Sequence, residues 1–150
     1  MKKRTLLYIC LLVVSTSLAQ GNKMREKIKI QKIAFITDQL QLTSEEAQSF
    51  WPIFNAYETD VEAIKNGELR SVRKTLRSET DLSDKEANDL LDRLLDSEKD
   101  IYSLKVNLVS DLKSVLPPQK ILKLKIADEE FSKKLLERLR EMRQKRSGRN

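Results

Sequence analysis

The sequence predicts an all-α fold of four helices, the middle two paired as a long antiparallel hairpin. Three observations lead there. Turn-formers are scarce, with Gly 3 and Pro 3 in 150 residues, while Leu, Lys, Glu and Ala abound. Apolar residues recur at three- and four-residue steps along most of the chain. Two segments open on the same helix-start signature, a Leu followed by Thr or Ser and, three residues later, Glu. The length corresponds to one domain.

The first nineteen residues read as a leader. Lys2, Lys3 and Arg4 precede an apolar run, and Ser17-Leu18-Ala19 supplies the small residues of a cleavage site. The apolar stretch from Leu6 to Leu18 falls short of the roughly 20 residues of a spanning helix. Export with a cut between Ala19 and Gln20 is therefore expected. Cys10 lies inside that run behind Ile9, which does not suit lipid attachment. It is the only cysteine, so an exported domain would rely on helix packing without disulfides. The expected organisation is a leader over 1–19, a helical domain over 20–142 and a basic disordered tail over 143–150.

The first helix is expected over about Met24 to Leu40, with Ile28, Ile33 or Ala34, Ile36 and Leu40 on one face. The second starts at a capping box: the Thr43 hydroxyl accepts from the Glu46 amide, the Glu46 carboxylate reaches back, and Leu42 is the staple. Ala47, Phe50, Phe54, Tyr57, Val61 and Ile64 then form a heptad-like seam. Pro52 removes one backbone bond within it. Asn66-Gly67 is the weak point, either a stop or a loosening, and the later rhythm of Leu69, Val72 and Leu76 favours continuation to about Arg77.

The third helix repeats the start signal with Leu82, Ser83 and Glu86. Its stripe of Ala87, Leu90, Leu94, Ile101, Leu104, Leu108, Leu112 and Val115 predicts a helix to Leu116, stopped by Pro117-Pro118. The fourth begins at that pair and follows Ile121, Leu124, Ala127, Phe131, Leu135 and Leu139. Two rods of such length with shorter companions imply an elongated, curved molecule with apolar surface to spare.

Charge is distributed unevenly. Residues 20–33 and 132–150 are basic, and residues 34–131 carry thirteen basic against twenty acidic side chains. The basic ends are read as solvated, with electrostatic contact to client chains or a membrane surface as the alternative. No motif for nucleic acid accompanies them, and no nucleic-acid partner is expected. The chain has no histidine and no glycine-rich phosphate loop. Neither enzymatic activity, a small-molecule substrate, a metal nor a cofactor is expected. Asp89, Asp92, Asp96 and Asp100 share one helix face, but carboxylates on one rigid helix cannot wrap calcium, and Lys85 and Arg93 lie at pairing distance from Asp89. The functional candidates are aromatic. Phe50, Phe54 and Tyr57 sit on the seam, most simply as core, and Trp51 lies one step off it, either core or lining a binding surface. With Phe35 and Ile36 they form the expected client-binding set.

The run Leu42-Thr43-Ser44-Glu45-Glu46, with Ala47 and the Phe-Trp-Pro segment behind it, resembles the first motif of the LTxxQ family, the Spy/CpxP-like periplasmic proteins. Leu116-Pro117-Pro118-Gln119-Lys120, continuing through Ala127, Glu130 and Phe131, resembles the second. The likeness covers about residues 24–142. Glu46 stands where the family has Gln, Pro117 where it has Thr, and Gln119 falls one place early. The resemblance implies a curved, cradle-shaped homodimer in the periplasm. It further implies ATP-independent chaperoning of partly unfolded polypeptides or, alternatively, envelope-stress sensing through a membrane signalling partner. Some relatives are labelled metal sensors, a role that the absent His and Cys argue against here.

Overall fold

The structure, a computed structural model, describes residues 23–78 and 81–147. The leader, its cleavage site, Cys10 and the last three residues of the tail lie outside the described residues. Among the described residues all regular structure is helical, and none of the helices is long and apolar enough to cross a membrane. The segments are α1 (residues 23–40), α2 (Ser44–Asn66), α3 (Glu68–Ser78), α4 (Asp84–Leu112) and α5 (Pro118–Ser147).

Both capping boxes form. Thr43 accepts from the Glu46 amide at 3.2 Å, and the Glu46 carboxylate accepts the Thr43 amide at 2.8 Å. Ser83 and Glu86 repeat the exchange at 3.4 and 2.9 Å. Each box satisfies amide donors that the first helical turn would otherwise leave open. α2 runs through Pro52, whose ring faces solvent, so the Gln48 carbonyl freed by the missing N–H can bond water.

Two helix ends differ from expectation. The second rod is broken at Gly67, so α2 and α3 are separate halves. Gly67 adopts φ −85°, ψ −95°, and its amide still donates to the Ala63 carbonyl at 2.8 Å. A Cβ built there would lie 2.9 Å from that carbonyl oxygen, so the bend depends on the missing side chain. The third helix ends at Leu112, four residues before Leu116. The chain tightens into three-residue turns, with Ser114 donating to Asp111 and Val115 to Leu112, because Pro117 disfavours helical geometry in the residue before it. Leu116 is nevertheless 3% exposed, so the residue keeps its core role without helical backbone.

The chain divides into two compact units, one of Leu42–Leu122 and one of the residues up to Gln41 with those from Lys123 onward. In the first, α2 and α3 pack against α4 as the two halves of an antiparallel hairpin arm. Phe50, Phe54, Val61, Val72, Leu90, Leu108, Leu112 and Leu116 form its buried apolar set. Ser97 is the buried polar member, and its hydroxyl donates to the Arg93 carbonyl at 2.8 Å. In the second unit α1 runs antiparallel to α5. Phe35 meets Phe131 with ring centroids 5.8 Å apart, and Lys32 Nζ lies 2.7 Å from Asp128 Oδ1. α5 stays helical to Ser147, four residues past Arg143, the expected start of the tail.

Candidate polypeptide-binding surface

The two motif segments meet. Glu46 closes the α2 capping box and also pairs with Lys120 in the first turn of α5, its Oε2 lying 2.6 Å from Nζ. Both side chains are largely covered, at 19% and 22% exposure. Lys120 is delivered there by the Pro117-Pro118 start, where the Pro117 carbonyl accepts the Lys120 amide at 2.9 Å. The Lys120 ammonium and then the Thr43 amide hold the Glu46 carboxyl below its ordinary range. Thr43, Glu46, Pro117 and Pro118 thus work as helix-start and clasp residues, with Leu42 half-buried, Leu116 buried and Gln119 exposed beside them. None of them presents a chemically reactive arrangement.

The aromatic candidates are distributed by burial. Phe50 and Phe54 are stacked with centroids 5.3 Å apart and are 0% and 2% exposed. Ile36 is fully buried in the other unit. These three are corrections to the expected client-binding set. They serve as core, since α2 and α1 each turn their most apolar face inward. Trp51 is half-buried, edge-on to Phe50 at 4.9 Å and to Phe54 at 5.8 Å. Tyr57 is half-buried beside Phe54 at 6.2 Å. Trp51 and Tyr57 therefore extend the core cluster to the surface of the Leu42–Leu122 unit. Phe35 belongs to the other unit. Its ring lies against Phe131, and Lys134 Nζ sits 4.4 Å from the ring centroid. Gln31, Leu135 and Arg138 complete an open groove there of about 320 Å³.

A larger apolar feature went unread in the sequence. Leu91, Leu95, Tyr102 and Val106 are 54%, 61%, 67% and 49% exposed along α4. Their steps of four, seven and four place them on one face, roughly a third of a turn from the buried stripe. The signal was available, because α4 is apolar on two faces. Choosing the stripe through Leu90 and Leu108 for the core leaves this second one exposed among the described residues. Asp89, Asp92, Asp96 and Asp100 are exposed, and Asp89 pairs with Arg93 at 3.6 Å.

Comparison with protein-family models, with curated proteins and with solved structures gives no match in any of the three.

Proposed function

We propose that this is an exported, periplasmic, non-catalytic protein that binds partly unfolded polypeptides without ATP. The exposed apolar ridge of α4 carries the reading. Single exposed apolar residues are ordinary, but four large ones on one helix face form the kind of surface that serves an interaction. Trp51 and Tyr57 add amphipathic aromatic contacts in the same unit, adaptable to many partners. A binder of this kind lowers the free concentration of aggregation-prone chains by mass action. The Spy/CpxP-like likeness of the two motif segments supports the same role and brings with it a curved homodimer and a leader cut after Ala19. The absence of histidine supports a role without catalysis.

The test is suppression of aggregation of an unrelated unfolding protein. The wild-type protein suppresses it at near-stoichiometric amounts, and Leu95→Ser with Tyr102→Ser reduces that effect several-fold while leaving the helical content unchanged. Equal suppression by both would remove the ridge from the account. A single dominant partner in pull-downs from envelope extracts would replace general client binding with a dedicated signalling contact.

A further inference from the structure

The charge pattern of α3 departs from its acidic surroundings. Arg70, Arg73, Lys74 and Arg77 follow the spacing i, i+3, i+4, i+7 and so share one face of an eleven-residue helix. All four are exposed, and with Ser78 they line one open surface groove. Among the described residues no carboxylate pairs with any of them. The one acid of α3, Glu68, is committed elsewhere, its Oε1 lying 2.6 Å from Arg93 Nε. Val72, 2% exposed, anchors the opposite side of α3, so the cations project away from the packed face. Leu76, 53% exposed, lies three residues after Arg73 and four after Val72, between the strip and the packed face.

We propose that the outward face of α3, formed by Arg70, Arg73, Lys74 and Arg77 with Leu76 at its edge, is an electrostatic contact for an anionic lipid bilayer. The proposal stands apart from polypeptide binding, which rests on α4. Four long, exposed cations without a buried polar donor among them do not define a pocket for one small anion. They suit a plane of mobile, negatively charged headgroups, each contact contributing additively. Leu76 favours a bilayer over a nucleic acid, because a flanking apolar side chain gains free energy only where it reaches the acyl boundary. Glu68 and Asp89, clustered on Arg93 behind the strip, oppose a polyanion that wraps the hairpin, whereas a flat surface touches α3 alone.

Vesicle co-sedimentation tests this with the full chain, every variant carrying the same N-terminal segment. Vesicles of phosphatidylglycerol and phosphatidylcholine bind the wild type, and phosphatidylcholine vesicles bind it much less, the difference shrinking as salt rises. Arg73→Gln with Lys74→Gln lowers the partition coefficient roughly thirtyfold. The charge-matched pair Arg140→Gln with Arg143→Gln, on the exposed end of α5, changes it by less than about threefold on the same basis. Leu76→Ser weakens vesicle binding and leaves any binding to duplex DNA unchanged. Far-UV circular dichroism confirms that each variant remains helical. An α5 pair as damaging as the α3 pair, or an α3 pair without effect, overturns the assignment. So does binding of duplex DNA through these cations without binding of anionic vesicles.

Discussion

The two compact units are held together differently. The Leu42–Leu122 unit packs three helical segments around stacked aromatics and closes both of its long helices with capping boxes. The other unit pairs α1 with α5, and much of that pairing is made at its edges. Lys32 meets Asp128, Arg138 donates to Gln31 at 3.1 Å, and Lys134 covers the Phe35 ring. Two paired helices can each turn only one stripe to the other, so polar and cation–π contacts supplement a narrow apolar seam. Exposed contacts of that kind contribute little individually. The first unit is therefore expected to resist local opening better than the second.

Substitutions sharpen the contrast, beginning with the largest effect. Phe54→Ala removes a fully packed ring and destabilises by about 4–5 kcal/mol in chemical denaturation, whereas Phe131→Ala, with its partner Phe35 half-exposed, costs about 3 kcal/mol or less. A larger loss from Phe131→Ala would reverse the ranking of the two units. Gly67→Ala is expected to cost about 1–2 kcal/mol despite the better helix propensity of alanine, because the new Cβ meets the Ala63 carbonyl. A gain in stability there would mean that the broken rod straightens freely. Thr43→Ala and Ser83→Ala each cost about 1 kcal/mol, measured as a shift in the denaturation midpoint.

Acid acts on the same devices. Hydrogen bonds hold Glu46 and Glu86 below the ordinary carboxylate range in the folded state, with the Lys120 ammonium acting on Glu46 and the Ser83 hydroxyl and amide on Glu86. A folded pKa below the unfolded one means stability that is complete above the unfolded value and is lost as pH falls through the folded value. The helix-start contribution is therefore constant near neutrality and declines below about pH 4. The decline is smaller in Glu46→Gln, which keeps a capping side chain but no longer titrates. An unchanged acid profile in that variant would show that the clasp with Lys120 adds nothing.

Much of the Leu42–Leu122 unit was legible in the sequence because its signals are local. A Thr or Ser with Glu three residues on fixes a helix start from four residues, and both predicted starts form. The helix ends were less legible. At Asn66-Gly67 the rhythm of Leu69, Val72 and Leu76 favours continuation, yet the rod breaks, and the deciding fact, a Cβ position blocked by the Ala63 carbonyl, exists only in three dimensions. Leu116 keeps the helical rhythm of the sequence while its backbone has already left the helix, since burial constrains the side chain and Pro117 constrains the backbone. The binding candidates were less legible for a related reason. Apolar spacing marks a face but not what covers it, so it does not separate the buried Phe50 and Phe54 from the half-buried Trp51 and Tyr57, nor mark Leu95 and Tyr102 as exposed. The cationic face of α3 was hidden by averaging charge across residues 34–131, where acids outnumber bases.

The central claim is that the α4 ridge holds polypeptide. Site-specific photo-crosslinking addresses it directly, with a benzophenone side chain at position 102 or 95 and, as control, at position 107, exposed on a different face of the same helix. During thermal unfolding of a labelled client, positions 95 and 102 are expected to capture the client far more than position 107. Equal yields at all three positions, or products at 95 and 102 containing only a second copy of this chain, would contradict the account.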